Sequence, residues 1–310
     1  VTPEEYAVGQ AAITAGLAAY VQKIAQLFTG PTLAVRDWLA LLKFLFPEVQ
    51  RRYELSAELG RNFYDSQRKR NHPELVRHEM LRSELQFEWF VKNMEPARKA
   101  MSQADSPNLA VTKVALTAVR EVEMAGRRQI IGAVKNDDIL KAKIAEEAGR
   151  PAKPDNRSVL GWARVATGRE TCAWCLMLVS RGAEFPGKDT RWYLEAATAG
   201  IGLDDETVID LFNESGGDLE KFREDTEEYI EEWHVGCDCL VVPVFDIKNW
   251  PGRDAAQRAQ QLWIEAGLEA TELIKSGKSR TKNDNKETLN ALRRRLDRGE
   301  INLSNYAVAA

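Results

Sequence analysis

Apolar residues recur at helical spacing through the first half of the chain. Ile13, Leu17, Val21, Ile24 and Phe28 share one stripe, which predicts an amphipathic helix closed by Gly30-Pro31. Its start is written in "TPEE": Thr2 can accept from the Glu5 N–H, and Pro3 suits the first turn. A second helix runs to Pro47 and contains "WLALLKFLF", Trp38 to Phe46; Glu48 to about Arg70 reads as a third. Asn71-His72-Pro73 breaks the pattern. It resumes from Leu75 to about Ala104, with Pro96 expected to kink or end that helix near Glu95. After the start signal Asp105-Ser106-Pro107, the stripe Val111, Ala115, Ala118, Val122, Ala125 predicts a helix that packs closely on its neighbours.

The pattern changes after "GRPAKPDNRS", Gly149 to Ser158, which has two prolines and no apolar period. "VLGWARVATG" and "CLVVPVF" read as short strands, with Pro243 confining the second to a sheet edge. The helix-like "CAWCLMLVSRG" lies between them. Leu203 to Glu232 holds thirteen Asp/Glu against two Lys/Arg, interrupted by apolar residues, and reads as a helical insertion with a solvated acidic face. A helix from about Asp254 to Lys275 follows, then a basic, polar tail expected to stay mobile until something docks it. The fold class is therefore mostly α. A helical domain at 1–150 is followed by a linker at 151–158, a small α+β cysteine-containing domain at 159–250 with an insertion at 203–232, and a helical, basic C-terminal tail at 251–310.

At 310 residues the chain can bury two cores and needs no cysteine staples. A net charge of −4 argues against a surface that coats nucleic acid throughout. The opening "VTPEEYAVGQ" has no basic segment leading into an apolar one, so secretion is not expected and the thiols should stay reduced. "WLALLKFLF" contains Lys43 and is shorter than the ~20 residues of a membrane span, so no membrane association is expected. Its apolar surface is either the centre of a helical bundle or a partner site.

All four cysteines fall in two tight pairs: Cys172 with Cys175, and Cys237 with Cys239. Zinc in a structural site takes four Cys or His ligands, and a C-x2-C turn presents two thiolates to one ion. On a strand, Cys237 and Cys239 leave the same face. His234 stands just before them, so five candidates, Cys172, Cys175, His234, Cys237 and Cys239, compete for four places. Either all four cysteines bind or His234 replaces one of the second pair. The alternatives to a metal are four reduced thiols packed as small apolar groups, or two disulfides.

Catalytic patterns are weaker. A zinc deaminase needs H-x-E ahead of P-C-x-x-C, and "HEMLR" at His78 ends in Arg82 where a zincin needs His. There is no G-x-S-x-G elbow. The arrangement composition leaves open is His234 paired in space with Cys172 or Ser180. No catalytic residue is assigned; His72 and His78 read as surface residues.

"RVATGRETCAWCLMLVSRGAEF" followed by "WHVGCDCLVVPVF" resembles the Mu F-like phage head morphogenesis, or minor capsid, domain over about Val159 to Phe245. The shared layout is a strand, a C-x2-C turn into a short helix, an intervening segment and a closing H-x-x-C-x-C before a V-x-P strand. Val235 and Asp238 depart from it, standing where a proline and a basic residue are common. The resemblance implies a low-copy virion component in the phage head interior or at the portal vertex, assembled in the host cytoplasm. Its partners would be the portal protein, the major capsid protein or both.

Some relatives bear the name capsid maturation protease, so an enzyme that trims scaffold or capsid protein is the first competing class. The second is a nucleic-acid-binding module using Arg51-Arg52, Arg68-Lys69-Arg70 and Arg293-Arg294-Arg295, with weak contact to packaged DNA. Each cluster has acids nearby, which favours a solvated helix face. No small-molecule substrate is expected.

Overall fold

A computed structural model describes residues 1–28, 33–77, 79–80, 82, 84–101, 107–137, 159–168, 171–184, 213–216, 221, 233 and 236–308. The expected linker at 151–158 and all but 213–216 and 221 of the acidic insertion lie outside the described residues, as does His78. The chain divides into two compact units, one of Val1–Leu160 with Val241–Phe245, the other of Gly161–Leu240 with Asp246–Ala310.

The first unit is helical. The capping box at Thr2 and Glu5 is formed in both directions and opens α1, Pro3–Thr14. Gly16, at φ +73°, then breaks what the apolar stripe predicts as one helix, and α2 runs Leu17–Ala25. α3 is a single helix of 37 residues, Val35–Asn71, where two were expected. Pro47 inside it costs about 3 kcal/mol against alanine. The buried stripe Trp38, Leu41, Leu42, Leu45, Val49 and Tyr53 continues across the proline and outweighs that cost. α4 spans Phe87–Met101, starting later than the expected Leu75 and passing through Pro96 without ending. α5 is Pro107–Asn136, and its small-residue stripe from Val111 to Ala125 is fully buried. "WLALLKFLF" is the centre of the bundle, although Phe44 remains 66 % exposed.

Two polar clusters are built into this unit. Ser56 donates to Gln10 and accepts from the Gly126 N–H, tying α1, α3 and α5. Asp137, completely buried, accepts from Tyr64 at 2.6 Å and from Arg68 Nε at 2.8 Å. Arg68 also donates to the Val76 carbonyl, and Phe245 packs its ring on Tyr64 and His72.

The second unit contains β1 (Gly161–Val165), α6 (Ala173–Ser180), β2 (Ala183–Glu184), α7 (Arg253–Lys275) and α8 (Asp284–Asp297). β1 and β2 are antiparallel, with Ala163 opposite Ala183. With β3, Leu240–Val244, they form one sheet in the order β2-β1-β3, so Pro243 lies on an edge strand. α6, α7 and α8 share a core of Leu176, Met177, Leu262, Ala266, Leu289 and Leu292. The tail expected to be mobile is therefore folded over α8. Asn283 caps that helix, and Arg294 and Arg295 pair with Glu269, Glu287 and Glu265. Among the described residues, no helix is long and apolar enough to cross a membrane.

Candidate metal centre

Three of the four cysteines, Cys175, Cys237 and Cys239, reach one point from two elements, with Cys172 beside Cys175 but outside that group. Cys172 is the N-cap of α6, its Sγ accepting the Cys175 N–H at 3.4 Å, so the C-x2-C spacing places both thiols at the start of one helix. A helix N-terminus favours thiolates through its free N–H groups and its dipole. α6 is anchored by burial of nearly its whole surface, from Ala173 to Ser180. Cys237 and Cys239 lie just before β3, two residues apart.

Sγ of Cys175 lies 3.5 Å from Sγ of Cys237, and the ligand atoms of Cys175, Cys237 and Cys239 all lie within 4.8 Å of one another. All three residues are buried and none of the four cysteines is in a disulfide. Four sulfurs on a tetrahedron with Zn–S bonds of about 2.3 Å stand ~3.8 Å apart, between those two distances. Three buried thiols at this separation can hold a metal ion. His234, the fifth candidate, lies outside the described residues.

The thiols suppress one another's ionisation. Hydrogen bonding with Cys172, then with Cys237 and Cys239, and finally burial hold the Cys175 thiol far above its ordinary pKa. At Cys239 the hydrogen bond with Cys175 pulls the other way, but Cys237 and burial prevail and the thiol is again raised. A cation offsets that repulsion, and its binding must release protons.

Around the thiols are groups that spacing did not reveal. Asp238, between the last two cysteines, accepts from the Thr167 hydroxyl and from Thr171 at 3.5 Å, and Thr171 in turn accepts the Gly168 N–H. The acidic residue at this position thus holds the loop leading into C-x2-C. Arg164 on β1 is 5 % exposed. Its Nη1 lies 3.9 Å from Sγ of Cys237, and its guanidinium sits 3.6 Å over the Trp233 ring. The sequence signal for Arg164 is faint: it is the charged residue of an otherwise apolar strand.

Several of the other candidate residues are engaged elsewhere. Ser180 is buried and donates to the Met177 carbonyl at 2.6 Å, within its own helix. Arg68 is buried on Asp137, Arg51 and Arg52 pair with Glu48, and Arg294 and Arg295 pair with acids of α7 and α8. His72 is half-buried against Phe245.

The profile of the VG15 protein family matches residues 3–266. The chain belongs to that family. Two relatives agree with it over nearly their whole lengths. A protein of Mycobacterium phage L5 named "Gene 15 protein" is 68 % identical over 309 residues, covering 100 % of both chains. A protein of the same name from Mycobacterium phage D29 is 65 % identical over 298 residues, covering 96 % of this chain and 100 % of the relative. This is a bacteriophage protein family, and its profile takes in both cysteine pairs. No solved structure matches the chain.

Proposed function

We propose that this protein is a minor capsid, or head morphogenesis, protein of the Mu F-like kind: a low-copy virion component at the portal or inner capsid, with a structural zinc ion in its cysteine centre. The observation that carries the reading is the meeting of Cys175, Cys237 and Cys239. These residues belong to the motif on which the Mu F-like resemblance rests, and relatives encoded by phages support a phage protein.

Cys175, Cys237 and Cys239 would hold the ion together with a fourth ligand. The metal would supply a cross-link, with no part in bond making. Joining Cys175 to Cys237 ties positions 62 residues apart, so the ion would close a long stretch of chain at one point. The helical unit would meet the portal or capsid protein, and Phe44, exposed within a largely buried apolar run, is a natural point of contact.

Mass spectrometry of purified particles tests this reading. The chain is expected in mature heads, uncleaved and in few copies, and Phe44→Asp is expected to lower its incorporation. Absence from mature heads, with uncleaved capsid precursor accumulating when the gene is removed, would favour the maturation protease instead.

A further inference from the structure

We propose that Arg164 is the counter-charge of the cysteine centre, holding it as a four-thiolate site completed by Cys172 in preference to three thiolates and an imidazole. This rests on the metal reading above and goes beyond it by assigning the ligand set and a positioning residue that supports it.

A guanidinium is always charged, and burying it costs several kcal/mol unless an anion compensates. Arg164 is nearly closed to solvent, yet among the described residues no carboxylate pairs with it. Its contacts are Sγ of Cys237 and the face of Trp233. The ring supplies a cation–π attraction of the order of 2 kcal/mol when desolvated. Neutral thiols add little, so among the described residues nothing else offsets the remaining cost in a metal-free cluster.

Charge counting provides one. A divalent ion with four thiolates carries two net negative charges, and one with three thiolates and a neutral imidazole carries one. The centre is supplied with more than one positive element: Arg164 on the Cys237 side, and the N-terminus of α6 on the Cys172 side. At that terminus the Cys175 N–H already donates to Sγ of Cys172, the contact that stabilises a thiolate. That contact holds Sγ of Cys172 at the same helix start as Cys175, next to but outside the group of three sulfurs that already lie within 4.8 Å of one another. Arg164 beside Cys237 and the helix start beside Cys172 thus both favour an anionic centre.

The test uses full-length protein, zinc competition against a chromophoric chelator, and cobalt substitution, in which sulfur-to-cobalt charge-transfer intensity scales with the number of thiolates. Wild-type protein is expected to show the four-thiolate spectrum. Cys172→Ser should lose about a quarter of that intensity, while His234→Ala leaves the spectrum unchanged. Arg164→Met should retain one metal per chain but lose about 10–100-fold in zinc affinity, as for other groups hydrogen-bonded to metal ligands, and Arg164→Lys should recover most of the loss.

Wild-type zinc affinity in a folded Arg164→Met protein, or Arg164→Lys as weak as Arg164→Met, would overturn the role of the charge. A cobalt spectrum changed by His234→Ala and untouched by Cys172→Ser would overturn the ligand set. If Arg164→Met does not fold, Arg164→Lys decides the charge role: a loss of the same 10–100-fold overturns it, and near-wild-type affinity with an unchanged cobalt spectrum supports it. Folded wild-type protein that takes up neither zinc nor cobalt would remove the metal reading itself, a result distinct from all of these.

Discussion

Gly60 on α3 lies directly against Gly126 on α5, so close that a β-carbon at Gly60 would stand 2.6 Å from the Gly126 carbonyl oxygen and 2.9 Å from its Cα. A β-carbon at Gly126 would meet the Tyr6 hydroxyl at 2.6 Å and the Ser56 carbonyl at 3.0 Å. Mid-helix glycine ordinarily loses about 1 kcal/mol to alanine, so either substitution on an isolated helix would stabilise. At Gly60 the obstruction is backbone, which cannot turn aside; at Gly126 it is the hydroxyl of the buried Tyr6 backed by the Ser56 carbonyl. Gly60→Ala and Gly126→Ala are each expected to destabilise by roughly 1–3 kcal/mol, measured by urea unfolding followed by circular dichroism. A gain in stability from either would contradict the close crossing.

Asp137 presents a different vulnerability. It compensates the buried Arg68 and accepts from Tyr64, whose hydroxyl burial and the neighbouring carboxylate keep protonated. Asp137→Ala would leave Arg68 without its carboxylate, at a cost of about 3–5 kcal/mol. Tyr64→Phe removes a single hydrogen bond to a charged group, worth about 1.5–3 kcal/mol. The expected order in chemical denaturation is wild type above Tyr64→Phe above Asp137→Ala; equal losses would mean that the ion pair contributes nothing of its own.

Glu48 pairs with Arg52, the side chain that links α3 to the end of α1, and carries an acid sensitivity. The hydrogen bond from Arg51, followed by that from Arg52, lowers its carboxyl from 4.5 to about 2. Arg52 in turn donates to the Ile13 and Ala15 carbonyls at the end of α1. A carboxyl depressed in the folded state contributes stability that is present above its unfolded pKa and is lost as pH falls towards its folded one. Wild type should therefore exceed Glu48→Gln in melting temperature at about pH 6, with the gap closing between about pH 4.5 and pH 2. A gap that does not change with pH would show that Glu48 acts without its charge.

Metal removal should act on the second unit. Protein purified by gel filtration is expected to carry about one zinc per chain by elemental analysis, and a chelator should lower its melting temperature. Cys175→Ser, at the buried centre of the cluster, should abolish zinc retention. Metal-free protein that is soluble and folded would leave the thiols as core residues.

Local patterns were decided within a few residues of chain, and these the sequence alone determined: the capping box at Thr2 and Glu5, the small-residue stripe of α5, the two cysteine pairs, and Pro243 on an edge strand. Such features depend on propensity and period, which act over one or two turns. The tertiary structure decided what depends on distant partners. Pro47 sits inside α3 because burial on both sides of it outweighs a missing hydrogen bond, and α8 is ordered because Leu289 and Leu292 find a core with α6 and α7. Gly60 and Gly126 are 66 positions apart, and no local signal marks the pair. At the cysteine centre, spacing nominated the thiols, but Arg164 and Asp238 acquired their places from contacts 73 and 71 residues away along the chain. Charge compensation and close packing are properties of neighbours in space, so only the folded chain displays them.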